Sequence, residues 1–170
     1  MKKFAIILTG FFLVVANYPA RAQNEMFKAL YMYNFTKNID WPKEYREGNF
    51  VIGVLGNSPI VTELTEIAKK KKVIDQAILV KKFASVAKIE DCHILYIPTT
   101  KSSLLPEVLA KFKGKPTLII TDAPGLAKQG SMINYVTVRG DQKFEINVEN
   151  FEPHGLKVNN FLVSLGIKVN

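Results

Sequence analysis

Cysteine and histidine are scarce in this chain: its 170 residues include one cysteine, Cys92, and two histidines, His93 and His154. A single thiol cannot form a disulfide within the chain. One thiol and two imidazoles also fall short of the four ligands of a structural zinc site. We therefore predict no metal site and no cofactor. Because Cys92 directly precedes an apolar segment, we expect it to be buried.

The motifs of common catalytic and nucleotide-binding sites are missing from the sequence. The loop after the first predicted strand, residues 53–59, has neither a GxGxxG fingerprint nor a Walker lysine, and no GxSxG elbow occurs. Cys92 and His93 are neighbours on a predicted strand, so their side chains should point to opposite faces and not form a nucleophile–base pair. Asp122 precedes a proline and a glycine, a pattern typical of a turn. We predict no catalytic residue, and we expect His154 on the surface.

One long apolar run occurs in the sequence, residues 4–16, and it lies near the N-terminus. It is shorter than the roughly 20 residues that a membrane-spanning helix needs. Lys2 and Lys3 precede it, and Ala20-Arg21-Ala22 follows it as a small-x-small cleavage site, the pattern of a secretory signal peptide. We predict cleavage after Ala22, which leaves residues 23–170 as a single exported domain, either periplasmic or secreted.

Acidic residues are the minority, with 15 Asp and Glu against 23 Lys and Arg, for a net charge of +8. Loss of Lys2, Lys3 and Arg21 with the leader would lower this charge to +5. The densest basic segment, residues 69–72, is interpreted as the solvated end of a helix, where cations are favoured by the helix dipole. Because no nucleic-acid-binding motif accompanies these lysines, we predict no nucleic-acid partner.

Strand and helix patterns alternate along the rest of the chain. Apolar runs bounded by turn residues predict buried strands, and apolar residues at helical spacing predict the helices between them. A β-hairpin with a four-residue loop at 139–142 is expected next, followed by a short C-terminal helix. The pattern predicts an α/β fold, a three-layer Rossmann-like sandwich with a mainly parallel sheet and an antiparallel hairpin at its edge. The predicted strands are residues 49–56, 77–80, 92–97, 117–121, 132–138 and 143–148.

The first predicted helix ends shortly before Trp41, the only tryptophan. Its inward stripe is predicted to consist of five residues at i, i+3, i+4, i+7 and i+8 spacing. In this interpretation Asn34 faces the core and needs a hydrogen-bond partner. The chain should leave the helix extended at Trp41, because Pro42 disfavours a helical conformation for the residue before it. The stripe is Phe27, Leu30, Tyr31, Asn34 and Phe35.

Several blocks of this sequence together resemble the YfiR-like family of periplasmic proteins. They occur in the order and spacing of that family over nearly all of the predicted mature chain. The blocks are Leu30-Tyr-Met-Tyr-Asn-Phe with Lys37 and Trp41-Pro42, Ile52-Gly-Val-Leu-Gly, Cys92-His-Ile-Leu-Tyr-Ile, Thr117-Leu-Ile-Ile-Thr-Asp, Gly130 with Ile133-Asn134, and Phe144-Glu-Ile-Asn followed by Gly155-Leu-Lys.

The resemblance implies a non-enzymatic regulator. Characterised members of the family hold a membrane-anchored diguanylate cyclase inactive through its periplasmic portion, and an outer-membrane lipoprotein draws them away, so that the state of the envelope sets cyclic-di-GMP output and biofilm formation. Members with several cysteines use disulfides for stability or redox control. The lone Cys92 of this chain excludes an intramolecular version of that control.

Seven residues are predicted to contact a partner protein. Aromatic residues are enriched among interface hot spots, which directs attention to the first helix and to the residues after it. The other interpretation of this segment is a core helix in which Asn34 holds a neighbouring backbone. Two further candidates lie on the polar face of the predicted hairpin. The seven candidates are Tyr31, Tyr33, Asn34, Lys37, Trp41, Glu145 and Asn147.

A different function also fits the sequence, that of a module that binds a small molecule or a peptidoglycan fragment. Its pocket would lie at the carboxyl ends of the strands, near Gly56, Asn57, Pro98 and Asp122. The identity of the membrane partner, cyclase or sensor kinase, stays open, and so does the choice between a monomer and a homodimer.

Overall fold

The structure is a computed structural model that describes the backbone of residues 20–170 and side chains from residue 23 onward. The predicted signal peptide therefore lies outside the described residues, apart from the backbone of its last three positions. Within the described part, the elements in chain order are α1 (Ala20–Phe35), β1 (Ile39–Asp40), β2 (Phe50–Leu55), α2 (Ile60–Lys70), β3 (Lys72–Val73), β4 (Gln76–Phe83), β5 (Ile94–Ile97), α3 (Leu105–Lys111), β6 (Leu118–Thr121), β7 (Ile133–Val138), β8 (Asp141–Ile146), β9 (Lys157–Val158), α4 (Asn160–Leu165) and β10 (Ile167–Lys168).

One large sheet organises residues 20–170, with eight strands in the order β10-β8-β7-β6-β5-β2-β4-β3. The five adjacent strands β4, β2, β5, β6 and β7 are parallel. Strand β3 pairs antiparallel with β4, and β8 pairs antiparallel with β7 and parallel with β10. A small separate ladder joins β1 to β9. The predicted mainly parallel α/β fold is confirmed, with the difference that the two-residue strand β10 lies outside the hairpin strand β8.

Two apolar cores, one on each face of the sheet, make the fold three-layered. Side chains of α1, α2 and α4 pack on one face, where Met32, Phe35 and Leu64 are buried. On the other face α3 contributes Val108 to a smaller core that also contains Cys92. The burial predicted for Cys92 is thereby confirmed.

The strand order creates a switch point next to β2. The chain runs from β2 to β4 on one side and then crosses to β5 on the other side. In open α/β sheets, ligands bind in the crevice outside the carboxyl ends of the strands at such a point. The residues that follow β2 and β5, including Asn57 and Pro98, therefore flank the natural ligand-binding position of this fold.

The hairpin between β7 and β8 is tighter than the sequence predicted. Its loop contains only Arg139 and Gly140, with φ values of 54° and 89°. Positive φ at both positions is the geometry of a type I′ turn, whose twist matches that of the flanking strands. The prediction of a four-residue loop was wrong because Asp141 and Gln142 already pair with Val138 and Thr137.

The inward face of α1 also differs from the prediction. Phe35 is buried as expected, but Phe27 and Leu30 are 41% and 42% exposed, and Asn34 lies on the surface. The predicted position of Asn34 in the core was therefore wrong. The helix carries apolar residues on two faces. Only the face that is complementary to the sheet becomes buried when the helix packs on it. The buried stripe is Glu25, Lys28, Ala29, Met32 and Phe35, and Thr36 in the turn after the helix is buried as well.

Candidate functional site

The solvent side of α1 and the turn after it hold four of the predicted contact residues. Tyr31 is half-buried, with its ring edge-on to Phe144 at 5.9 Å between centroids. Tyr33 is half-buried as well, and the Lys37 ammonium lies 4.7 Å from its ring centroid. The Lys37 ammonium also donates to the Asn34 side-chain oxygen at 3.1 Å. Tyr31, Tyr33 and Asn34 therefore lie on α1, and Lys37 lies beside them in the turn that follows the helix.

Trp41 lies elsewhere, in the core. It is 7% exposed, packs edge-on against Phe50 at 5.1 Å between ring centroids, and donates its indole N–H to the carbonyl oxygen of His93 at 3.3 Å. These contacts tie the segment after α1 to the amino end of the central strands. Trp41 therefore supports the position of α1 and is not part of its solvent-facing side.

The two hairpin candidates are less exposed than expected. Asn147 is 5% exposed and donates to the carbonyl oxygen of Ala127 at 3.2 Å. Its predicted place on a solvated polar face was therefore wrong. Glu145 is half-buried and accepts a hydrogen bond from Asn134 at 2.8 Å. Asn147 therefore stabilises the loop that follows β6, and Glu145 orients the side chain of Asn134 on β7.

Exposed apolar residues that the sequence interpretation missed extend the surface of α1. Met26, Phe27 and Leu30 are each 41–42% exposed on this helix. On α4, Phe161 and Leu165 are 63% and 57% exposed. The signal was available in the sequence, since a helix with apolar residues all round has more of them than one buried face requires.

A polar cluster lies beneath the amino-terminal part of α1, at the carboxyl ends of the parallel strands. The buried Lys28 ammonium contacts the carboxylates of Asp122 at 2.6 Å and Glu25 at 3.1 Å. Tyr96 donates its hydroxyl to the same Asp122 oxygen at 2.8 Å. Burial and the Asp122 charge raise the pKa of Tyr96, so its hydroxyl stays protonated and continues to donate. Asp122, predicted as a turn residue, is the centre of this cluster.

Neither histidine is arranged for catalysis with the cysteine. Cys92 belongs to the core on the α3 side, and burial raises the pKa of its thiol to about 12, so the thiol stays protonated and unreactive. The His93 ring stacks on Phe50, which belongs to the core on the other face, at 4.3 Å. His154 is 9% exposed and donates from Nδ1 to the carbonyl oxygen of Lys115, so its predicted surface position was wrong.

Among the side chains from residue 23 onward, no group of three or more His, Cys, Asp or Glu could hold a metal ion.

His93 should make the stability of the fold depend on pH. Its Nε2–H donates to the carbonyl oxygen of Tyr45 at 2.7 Å, while Nδ1 accepts from the backbone N–H of Val51 at 3.0 Å. Burial lowers the pKa of His93 in the folded protein, and the hydrogen bond to Tyr45 opposes this effect only in part. The unfolded chain therefore binds the proton first, near pH 6.5.

We expect the free energy of unfolding to fall as the pH decreases below about 6.5, towards the lowered pKa of the folded state, by at most about 1.4 kcal/mol per pH unit from this group. Urea unfolding of the wild type and of His93→Gln, which cannot titrate, measures the difference in slope. Equal slopes for the two proteins would show that His93 does not carry this dependence.

The doubly wound sheet, the polar cluster at the carboxyl ends of its parallel strands and a helix with apolar residues on its solvent side define an α/β sandwich domain. The chain belongs to the YfiR/HmsC-like family, whose profile matches residues 25–167. This is a family of periplasmic regulatory domains that interact with membrane signalling proteins. Within residues 20–170, the structure contains no helix long and apolar enough to cross a membrane.

The comparison with solved structures identifies a similar fold. The ABC domain from Streptococcus pneumoniae, solved in complex with L-Trp, superposes with a TM-score of 0.55 at 17% sequence identity. The match covers 89% of this chain and 60% of that one, so this chain spans little more than half the length of its structural neighbour. No curated protein matches the chain.

Proposed function

We propose that this protein represses a membrane-anchored signalling protein, a diguanylate cyclase, by binding its periplasmic portion. The observation that carries this proposal is the apolar solvent side of α1, where Met26, Phe27 and Leu30 lie side by side in a chain of the YfiR/HmsC-like family. Contiguous apolar residues that remain exposed in a soluble domain are typical of protein–protein interaction sites.

The surroundings of these residues have the composition of an interface. Tyr31 and Tyr33 flank the apolar side chains, and Asn34 with Lys37 supplies polar groups at the carboxyl end of the helix. Tyrosine contributes large contact areas, and polar rims give interfaces their specificity. The opposite side of α1 is held by buried Ala29, Met32 and Phe35, so little ordering of the backbone would be needed on binding.

The apolar surface can extend from α1 to α4. The buried ring of Phe144 lies between the two helices, because Tyr31 contacts this ring and the backbone of Gly166 approaches it from the end of α4. A Cβ atom at Gly166 would lie 2.6 Å from the Phe144 ring, so this close approach requires glycine. Phe161 and Leu165 are the exposed apolar residues that α4 would add.

Repression requires a difference in affinity between two states of the cyclase. A ligand shifts an equilibrium only to the extent that it binds one state more tightly, and full reversal from 1:99 to 99:1 needs a preference of roughly 10⁴-fold. We propose that this surface binds the inactive state. An outer-membrane lipoprotein that covers the same surface would release the cyclase, and a sensor kinase could replace the cyclase as the target.

Export of the domain completes the proposal. Residues 1–22 would act as a signal peptide that is removed after Ala22, so that α1, shortened to begin at Gln23, would be the first helix of the mature chain. Mass measurement of the protein purified from the periplasm tests this boundary. A measured mass that corresponds to a mature chain beginning at any residue other than Gln23 would contradict the predicted cleavage site.

We expect binding of the partner protein to be lost when a charged residue is introduced on the solvent side of α1. We expect tagged wild-type protein, crosslinked in the periplasm of its own host, to capture an inner-membrane protein with a cytoplasmic cyclase or kinase domain. Leu30→Asp should reduce capture about tenfold or more, because a carboxylate would be desolvated in an apolar contact. The yield is measured by quantitative mass spectrometry.

The matched control is Val138→Asp, which places the same charge on a residue of similar exposure, 40%, at the end of the β7 hairpin. Thermal denaturation of both variants tests whether they fold. Equal capture by wild type and Leu30→Asp would exclude α1 as the interface. A wild type that captures no inner-membrane protein would overturn the regulatory proposal itself.

A further inference from the structure

The cleft at the carboxyl ends of the parallel strands has two chambers. Asn57, after β2, and Thr100, after β5, line both of them. The larger chamber, of about 460 Å³, extends towards the end of β4, and the smaller one, of about 260 Å³, extends towards α1 and Asp122. This is the switch-point position at which α/β sheets bind small ligands.

The smaller chamber carries an excess of negative charge. Glu25, Lys28 and Asp122 all line it, and these two carboxylates share a single ammonium, which leaves one negative charge uncompensated. Glu25 is 9% exposed, and its Oε2 has no hydrogen-bond partner among the described residues. A buried carboxylate oxygen without a donor is unfavourable, so a ligand that supplies an N–H group would be stabilised here.

The larger chamber carries positive charge. Lys82 and Lys101 line it, and all its other lining residues are uncharged. Neither lysine belongs to an ion pair within the part of the chain that the structure describes. The Lys101 stem lies over Gly56, where a Cβ atom would be 2.9 Å from its Cε. The Lys101 side chain therefore lines the chamber beside Gly56, and an anion in the chamber would meet the ammonium groups of Lys82 and Lys101.

We propose that this cleft binds a short peptide with free ends, its α-ammonium at Glu25 and Asp122 and its carboxylate at Lys82 and Lys101. The two charges of the cleft lie in different chambers, on opposite sides of Asn57 and Thr100. In a single amino acid the ammonium and the carboxylate are attached to the same carbon. The two groups therefore lie too close together to occupy separate chambers. Each added residue separates the two ends by up to about 3.6 Å, so a peptide of two or three residues can place its ends in different chambers.

This inference goes beyond the proposed repression and does not depend on it. Glu25 and Lys28 lie on the buried side of α1, whereas Phe27 and Leu30 lie on its exposed side. A peptide in the cleft would therefore leave the proposed partner surface accessible. The two proposals can fail separately, because peptide binding is measured on the purified domain without any membrane partner.

Isothermal titration calorimetry with trialanine tests the proposal. We expect trialanine to bind the purified domain, and N-acetyl-trialanine and trialanine amide each to bind about tenfold more weakly or worse, because each lacks one of the two charges. Free L-alanine should bind far more weakly than trialanine. Absence of trialanine binding up to millimolar concentration, equal binding of the blocked peptides, or equal binding of L-alanine would overturn the proposal.

Two variants locate the binding site. Lys101→Ala should weaken trialanine binding about tenfold and reduce the difference in affinity between trialanine and trialanine amide, because only Lys82 remains to contact the carboxylate. Glu25→Gln should do the same for the amino end. Lys113→Ala, a change at an exposed lysine outside the cleft, is the matched control and should bind as the wild type does. Unchanged affinity in both cleft variants would contradict the assignment even if trialanine binds.

Discussion

Trp41→Ala should lower the free energy of unfolding by about 3 to 5 kcal/mol, the usual effect of removing a buried aromatic ring. The Trp41 ring is 7% exposed and packs edge-on against Phe50. Its removal would leave a cavity between the segment that follows α1 and the amino end of β2. Urea denaturation of the purified domain measures the loss.

Trp41→Phe separates the packing contribution from the hydrogen bond. This variant keeps an aromatic ring next to Phe50 but loses the indole N–H that donates to His93. The carbonyl oxygen of His93 still accepts from the backbone N–H of Leu118 at 2.8 Å, so we expect a clearly smaller loss than for alanine. If Trp41→Ala kept its stability and lost the partner, the core interpretation of Trp41 would be wrong and an interface role would replace it.

Lys28→Met should destabilise the fold by about 3 to 5 kcal/mol, because removal of one member of a buried ion pair leaves the other charges uncompensated. The loss of stability should be especially large in this cluster, because Glu25 and Asp122 would both remain as carboxylates next to the introduced methionine. The matched control is Lys69→Met, which breaks the exposed pair with Glu66 and should change stability by less than about 1 kcal/mol.

Neutralising the carboxylates should restore much of this stability. Addition of Glu25→Gln and Asp122→Asn to Lys28→Met removes both uncompensated charges, and uncharged replacements of buried ion pairs are often close to neutral. Chemical denaturation of the single and triple variants measures the recovery. A Lys28→Met variant within 1 kcal/mol of the wild type would show that water reaches this cluster and that its charges are solvated.

The site was less predictable than the fold, and α1 shows why. Its inward stripe was predicted from large apolar residues, which selected Phe27 and Leu30 and overlooked Glu25 and Lys28. A lysine on a helix is normally solvated, and Lys28 is buried only because Asp122, 94 positions away in sequence, lies opposite it. No local pattern contains that information. The same reason applies to Asn147, whose partner Ala127 is supplied by a distant loop.

The sequence by itself determined the alternation of strands and helices and the hairpin after β6, because apolar runs, periodic stripes and turn residues act over a few neighbouring positions. It also carried the blocks that identify the YfiR/HmsC-like family. Only the tertiary structure decided which side of α1 faces the sheet, that β10 pairs outside β8, and that the charges of Glu25, Lys28 and Asp122 meet at the switch point. These features depend on contacts between residues far apart in the chain, where burial is favourable only if a distant element supplies the matching surface or charge.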